Sequence, residues 1–508
     1  MITREMLGQK LIFGFHGTSL SPEIKALIRE YKIGNVILFL RNAESGDQLR
    51  TLTREIQTLI QAETGHPAFI VIDQEGGMVS RLSADGVNVP CAMALAATGD
   101  PAAVTTAGEI TIRQLQGLGV NFNMAPVLDV NNNPANPVIG IRSFGDNPET
   151  VARLGEAAIA PYPGSGVLCC GKHFPGHGDT AVDSHLGLPR VEKTEQELEK
   201  LELIPFHRCI RAGIDAIMIS HVMYPAIEPD GVPCTMSRRI VTGLLREKLG
   251  FRGLVLTDCM EMGAIQEHFG TPAGVVAAAK AGIDLIELSG DPALQRASAQ
   301  ALLEAAENGE LDEKEIEDSV ARILAAKKNI ICRPEKEKYG LPADRETAQA
   351  LAEKAVTLYA GKLPRADEKT FFCGCADYRV SGAANDGGFG GDFPSYFGKA
   401  FSAPYAVTGK NPDTAEIAAA VEKASQAETI VLGTCNAHLF PGQIALAKAL
   451  AETGKPLTVV ALRNPYDLPA LPDCACKIAL FDYAAPAFHA LEKAFRGGTV
   501  TGKMPVAL

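Results

Sequence analysis

Short apolar runs recur eight times before residue 290, at 11–15, 35–40, 68–73, 121–127, 167–172, 214–220, 253–258 and 283–288, each of a length suited to a buried strand. Helix-compatible stretches lie between them, at 22–31, 45–62, 101–118, 194–212, 237–249 and 274–281. The order is largely strand then helix, and eight such strands predict a (β/α)8 barrel of the TIM type. The connections over 74–120 and 128–166 are long, and loops of that length often belong to a site.

The pattern changes after residue 290. Segments 303–308, 315–329 and 345–359 read as helices, with Pro334 and Pro342 as breaks. From 366 onward, strand-like runs at 370–375, 429–434, 457–462 and 477–482 alternate with helical stretches at 414–427, 443–453 and 486–495. The expected organisation is a catalytic barrel over 1–330, a helical linker over 331–365 and a smaller α/β domain over 366–508.

A barrel carries its own test, because chemistry in this fold collects at the C-terminal ends of the strands. The third run ends in Asp73, the fifth in Lys172 and His173, the sixth in Ser220 and His221, and the seventh in Thr257 and Asp258. The densest stretch, 172–185, holds three histidines, two aspartates and a lysine on a loop broken by proline and glycine. Asp258 closes a buried run, so its carboxylate is held rigidly enough to act as nucleophile or base; alone it could equally cap a helix. Asp183-Ser-His185 places a carboxylate where it can orient an imidazole and favour its protonated form, which makes a usable acid and base. In isolation the same tripeptide reads as a solvated loop. His173, His177, Asp179, Asp183 and His185 are residue types that bind zinc or iron, but their spacing fits no common ligand pattern. Asp73, Arg81, Arg142, Lys172, His173 and His221 supply the paired donors and acceptors that a polyhydroxylated ligand needs. Each could otherwise be half of a structural salt bridge.

Composition narrows the partners. With 48 basic against 60 acidic residues the net charge is −12, and no basic stripe stands out, which excludes nucleic acid as the expected partner. The N-terminus lacks a secretory pattern and no apolar run reaches spanning length, so the expectation is a cytoplasmic protein without membrane contact. The 12 cysteines lack the CxxC spacing of zinc or redox sites and read as small buried hydrophobes. Tryptophan is absent, so stacking on a sugar would fall to Phe, Tyr or His, with Phe144 and Tyr224 as candidates.

Five motifs occur in order: Asp73-Gln-Glu-Gly-Gly77; Asn121-Phe-Asn-Met-Ala-Pro-Val-Leu-Asp-Val130; Asn136-Pro-Val-Ile-Gly140 with Arg142-Ser-Phe-Gly145; the stretch from Lys172 to His185; and Leu256-Thr-Asp-Cys-Met-Glu-Met262. Together they resemble glycoside hydrolase family 3, and within it the β-N-acetylglucosaminidases of the NagZ type. The resemblance implies a barrel followed by an α/β sandwich domain. It also implies a retaining exo-glycosidase that releases terminal β-linked N-acetylglucosamine from muropeptides or chitin fragments, with no cofactor and no metal. Carried over, the family's nucleophile falls on Asp258, its acid/base histidine on His185 and that histidine's partner on Asp183, while Asp73, Arg81, Arg142, Lys172 and His173 match sugar-contacting positions. Many retaining glycosidases use two carboxylates; here an Asp-His pair replaces the second. Met78 stands where relatives often carry arginine, and Ala160-Pro-Tyr-Pro-Gly164 departs from the usual approach to the loop. A neutral imidazole does not repel phosphate, so a β-N-acetylglucosaminide phosphorylase is an alternative, as are a β-glucosidase-like exo-glycosidase and a non-catalytic sugar-binding protein. Oligomeric state is not specified by the sequence.

Overall fold

The apolar runs become the staves of one barrel: β1 (Leu11–Phe13), β2 (Asn35–Leu38), β3 (Phe69–Ile72), β4 (Phe122–Asn123), β5 (Leu168–Phe174), β6 (Ala216–Ile219), β7 (Leu254–Thr257) and β8 (Ile286–Leu288). The computed structural model describes residues 1–181, 187–379, 381–382, 384 and 391–508. The strands are parallel and hydrogen-bonded in the order β7-β6-β5-β4-β3-β2-β1-β8. A bridge between Leu256 and Leu285, with the Thr257 N–H on the Leu285 carbonyl at 3.0 Å, brings β8 back to β7 and closes the ring.

Side chains on a strand alternate between its two faces, and that alternation sorts the barrel. Ile12, Ile37, Val71, Met124, Cys170, Met218, Leu256 and Leu285 fill the lumen. Their neighbours Phe13, Leu38, Ile70, Cys169, Ile217, Val255 and Ile286 pack outward in the larger core. Two residues beyond the lumen layer, the same inward phase reaches Asp73, Lys172, Asp258 and Glu287. The mouth of the barrel is therefore charged for the same geometric reason that its middle is apolar.

The helices form where their ends are chemically marked. Pro101–Leu118 begins with Asp100 accepting the Ala102 N–H and a proline in the first turn, and it ends at Gly119 with φ +75°. The single helix expected over 194–212 is two, Glu195–Lys200 and Leu203–Arg211. Pro205 has no N–H for the Leu201 carbonyl and its ring would clash there, so the break falls just before it.

A second sheet contains β9 (Thr357–Gly361), β10 (Thr370–Cys375), β11 (Tyr405–Thr408), β12 (Thr429–Thr434), β13 (Leu457–Ala461) and β14 (Cys476–Ala479), in the order β11-β10-β12-β13-β14-β9. Only β9 runs antiparallel to its neighbour. The edge strands β9 and β11 are not among the expected strands, because both are largely exposed and their apolar runs, Leu358-Tyr-Ala360 and Tyr405-Ala-Val407, are short. Helix expected through residue 359 stops at Ala355; the β-branched pair Val356-Thr357 and the pairing with β14 favour strand instead.

The two parts are joined through polar and apolar contacts. Asn131 donates to the Tyr466 hydroxyl at 2.8 Å, Cys91 donates to the Phe481 carbonyl at 3.1 Å, and Cys91, Met93, Ile141, Tyr466 and Phe481 share one apolar cluster. Gly140, at φ +46°, lies so close to Asn464 that a Cβ would meet its amide oxygen at 2.5 Å. Among the described residues no helix is long and apolar enough to cross a membrane.

Candidate active site

The inward strand ends line a cavity of about 710 Å³. Asp73 enters from the end of β3, Lys172 and His173 from β5, Met218 from β6, Asp258 from the end of β7 and Glu287 from β8. A larger hollow of about 970 Å³ lies beside helix Pro342–Ala355 and the second sheet, but none of these strand-end groups lines it. Chemistry and size therefore point to different cavities, and the strand ends decide.

One charge network organises the wall. Lys172 Nζ donates to Asp73 Oδ1 and lies within ion-pair reach of Glu75 Oε1, both at 2.7 Å. Arg142 grips both Glu75 oxygens at 2.8 Å through Nε and an Nη. Burial alone would push the Glu75 carboxyl up, but the Arg142 and Lys172 charges outweigh it and hold it far below the usual carboxylate range. Burial likewise opposes the charge on Lys172, yet Asp73 and Glu75 leave its pKa raised. Arg81 goes the other way: burial lowers it despite Asp73 and Glu75. Such a network adds little net stability, since removing ions from water offsets their attraction. Its use is to hold donors and acceptors in place before a ligand arrives. The turn that carries Glu75 needs Gly76 at φ +98° and Gly77 at φ +55°, backbone that side chains resist.

A second cluster fixes the imidazole of His173. Asp129 Oδ2 pairs with its Nδ1 at 2.6 Å, while Asp129 Oδ1 accepts the His177 N–H at 2.7 Å. Arg142 can only donate, so its 3.4 Å contact with His173 Nε2 marks that nitrogen as the acceptor and places the ring proton on Nδ1. Burial would raise the Asp129 carboxyl, but His173 and His177 bring it below its ordinary value. His177 is buried against Thr180, whose Oγ1 lies 2.8 Å from Nδ1; burial, then His173, lower its pKa to about 4.

The opposite side is built by β7 and β8. Asp258 is half-buried, and its Oδ1 accepts the Cys259 N–H at 2.8 Å. Glu261 accepts the N–H groups of Ser289, Gly290 and Asp291 at 3.1, 2.8 and 3.1 Å, which ties the loop after β7 to the loop after β8. Burial raises the Glu261 carboxyl in spite of those bonds. Phe39 and Arg41, from the segment after β2, complete this side, with the guanidinium 4.2 Å from the ring centroid. Arg379, Gly382 and Ala384, which follow β10 of the second sheet, line the same cavity.

The structure thus brings together Asp73, Arg81, Arg142, Lys172, His173 and Asp258. It does not bring in His221, which is fully buried with Nδ1 at 2.9 Å from Thr235 Oγ1 and Nε2 at 2.9 Å from the Cys259 carbonyl. Phe144 packs in an apolar cluster behind the wall, and the Tyr224 hydroxyl donates to the Gly176 carbonyl at 2.7 Å; neither lines the cavity. Among the described residues the rings that line it are Phe39, His173 and His177. Met78 packs against the cluster between the two parts. Asp183 and His185 lie outside the described residues. Glu75, Asp129, Glu261 and Glu287 were not singled out from sequence. The first three sit inside the quoted motifs, and Glu287 is found by counting two residues on from inward Leu285.

Fold and site define a (β/α)8-barrel protein whose ligand cavity is made of charged strand ends and walled on one side by an α/β domain. Residues 3–326 match the glycosyl hydrolase family 3 N-terminal domain, so the chain belongs to glycosyl hydrolase family 3. It is 37% identical over 367 residues, 64% of its length, to beta-hexosaminidase A of Pseudoalteromonas piscicida, of which it spans 61%. It is 38% identical over 293 residues to the beta-hexosaminidase of Alkalilimnicola ehrlichii, with 56% of this chain and 82% of that protein covered. A solved glycoside hydrolase family 3 beta-N-acetylglucosaminidase from Paenibacillus sp. str. FPU-7 superposes with a TM-score of 0.92 at 36% identity, covering 100% of this chain and 99% of that one.

Proposed function

We propose that the protein is a retaining exo-β-N-acetylhexosaminidase that releases terminal β-linked N-acetylglucosamine from muropeptide or chitin-fragment substrates. The observation that carries this reading is the pair Asp258 and Asp73, inward on β7 and β3, facing one cavity with the Lys172, Arg142 and His173 cluster beside them. The names of the relatives support the sugar. Asp73, Arg81, Arg142, Lys172 and His173 hold its hydroxyl groups through charge-assisted hydrogen bonds.

In the first step the Asp258 carboxylate attacks the anomeric carbon, the glycosidic C–O bond breaks, and protonated His185, oriented by Asp183, gives its proton to the leaving oxygen. In the second step His185 takes a proton from water, the hydroxide oxygen bonds to the anomeric carbon, and the ester to Asp258 breaks. Two displacements return the original anomeric configuration. Acid assistance of this kind is worth roughly a hundredfold to ten-thousandfold, and a good leaving group needs less of it.

The test is His185→Ala assayed on an activated aryl N-acetylglucosaminide and on an N-acetylglucosamine disaccharide. The proposal expects a much larger loss on the disaccharide; equal losses contradict the acid role. A panel of aryl N-acetylglucosaminide, glucoside and xyloside, with and without phosphate, separates the alternatives. Preference for the glucoside indicates a β-glucosidase-like enzyme, a sugar 1-phosphate a phosphorylase, and no turnover a binding protein.

A further inference from the structure

Glu287 lines the cavity and has no part in that mechanism. Glu287 is 4% exposed. Its N–H donates to Thr257 Oγ1 at 3.0 Å and its carbonyl accepts the Met260 N–H at 2.9 Å. The backbone is thereby fixed, and the side chain lines the cavity in the inward phase that follows Leu285. The charged and titratable groups around it are Asp73 from the end of β3, Lys172 from β5, Asp258, Cys259 and Glu261 from the loop after β7, and Arg41 from the segment after β2. Burial, then the charges of Asp73 and Asp258, hold its carboxyl well above the usual range. A carboxyl in that state offers one O–H donor and a carbonyl acceptor, the complement of a hydroxyl group.

Strand order and the distribution of donors together point to one hydroxyl. In a ring of eight strands β3 stands opposite β7, as C4 of a pyranose stands opposite C1. With C1 at Asp258, C4 is directed to Asp73. The Lys172, His173 and Arg142 cluster continues from Asp73 around the β4–β5 side, and its several donors suit the side of the ring that carries two adjacent polar substituents, at C2 and C3. That leaves the β8–β1–β2 side, with Glu287 and Phe39, for C5 and its exocyclic carbon. Arg41 stiffens this side, since its Nε donates to the Phe15 carbonyl at 3.1 Å and an Nη donates to the Ser289 carbonyl.

We infer that Glu287 is a specificity-determining residue that hydrogen-bonds the 6-hydroxyl of the terminal sugar, so that the site selects hexosaminides bearing a free C6 hydroxyl over 6-deoxy sugars. This rests on the N-acetylhexosaminidase reading above.

The experiment measures kcat/KM for an aryl N-acetylglucosaminide and its 6-deoxy counterpart, with the full-length protein and its Glu287→Gln and Glu287→Leu variants. The expected result is a wild-type preference of roughly tenfold or more for the 6-hydroxy substrate, the order expected when a buried group loses its partner. Glu287→Gln keeps most of that preference, because an amide still donates and accepts, and Glu287→Leu brings the ratio near one. A ratio taken on one preparation does not depend on how much of it is folded. An unchanged ratio in Glu287→Leu overturns the inference, as does a wild-type ratio near one, which needs no variant. A Glu287→Leu effect confined to substrates altered at the 2-acyl group also overturns it. Absence of any wild-type turnover overturns both this inference and the functional reading, whereas turnover without 6-hydroxyl preference overturns only the former.

Discussion

Glu75 carries its charge in a place where charge is costly, and it does so only because Arg142 and Lys172 are there first. Removing that charge leaves buried Arg142 without its carboxylate and Lys172 with Asp73 alone, so Glu75→Gln is expected to cost about 3 kcal/mol, read as a lower urea midpoint. The pH dependence has a definite sign. The folded carboxyl lies below its ordinary value of 4.5, so its contribution is complete above about pH 4.5 and is lost as the pH falls below that. His177 acts in a higher window: its folded value of about 4 lies under the ordinary value of 6.5, so the unfolded chain binds the extra proton between them. Stability is expected to fall by about 3 kcal/mol from pH 6.5 to 4. His177→Asn should flatten that slope in thermal unfolding scans taken across the range, and an unchanged slope would refute the assignment. Residue-level legibility followed strand phase. Asp73, Lys172 and Asp258 close apolar runs and were plain in sequence, while Glu287 is hidden inside a run and His221 sits one residue out of the inward phase set by Met218.

At the scale of elements, Glu261 has the most leverage, because one carboxylate holds three backbone N–H groups of the neighbouring loop. Glu261→Ala is expected to loosen the segments that carry Asp258 and Ser289 together. The predicted loss is about tenfold in kcat/KM, the order of one removed hydrogen-bonding group, with Glu261→Gln intermediate; equal activity of all three proteins would contradict it. His221→Ala, by contrast, should lower the melting temperature and leave KM unchanged, since its ring bonds Thr235 and the Cys259 backbone. The eight barrel strands are readable because burial on both faces makes the runs that hold them largely apolar. Strands β9 and β11 are not, because an exposed edge carries only a short run, and the break at Pro205 was legible only to someone asking which carbonyl its ring would strike.

For the whole molecule, the question is why a barrel that already holds the charged strand ends is walled by a second sheet. Arg379, Gly382 and Ala384 reach the cavity from beyond β10, and the Arg379 charge is felt at Arg81 beside Asp73. Arg379→Ala is expected to raise KM several-fold for a disaccharide and a small aryl glycoside alike, with the melting temperature little changed; an unchanged KM would contradict a part in the cavity wall. The sequence could place a second α/β domain but not its contribution to the wall, because contact between distant segments leaves no local pattern. The account as a whole stands on Asp258 as the atom donor to the anomeric carbon. It is tested most directly by treating the full-length protein with a 5-fluoro N-acetylglucosaminyl fluoride and sequencing the modified peptide by mass spectrometry. A glycosyl adduct on Asp258 is the predicted result; an adduct on Glu287 or Glu261, or steady turnover with no adduct in either wild type or His185→Ala, would contradict it.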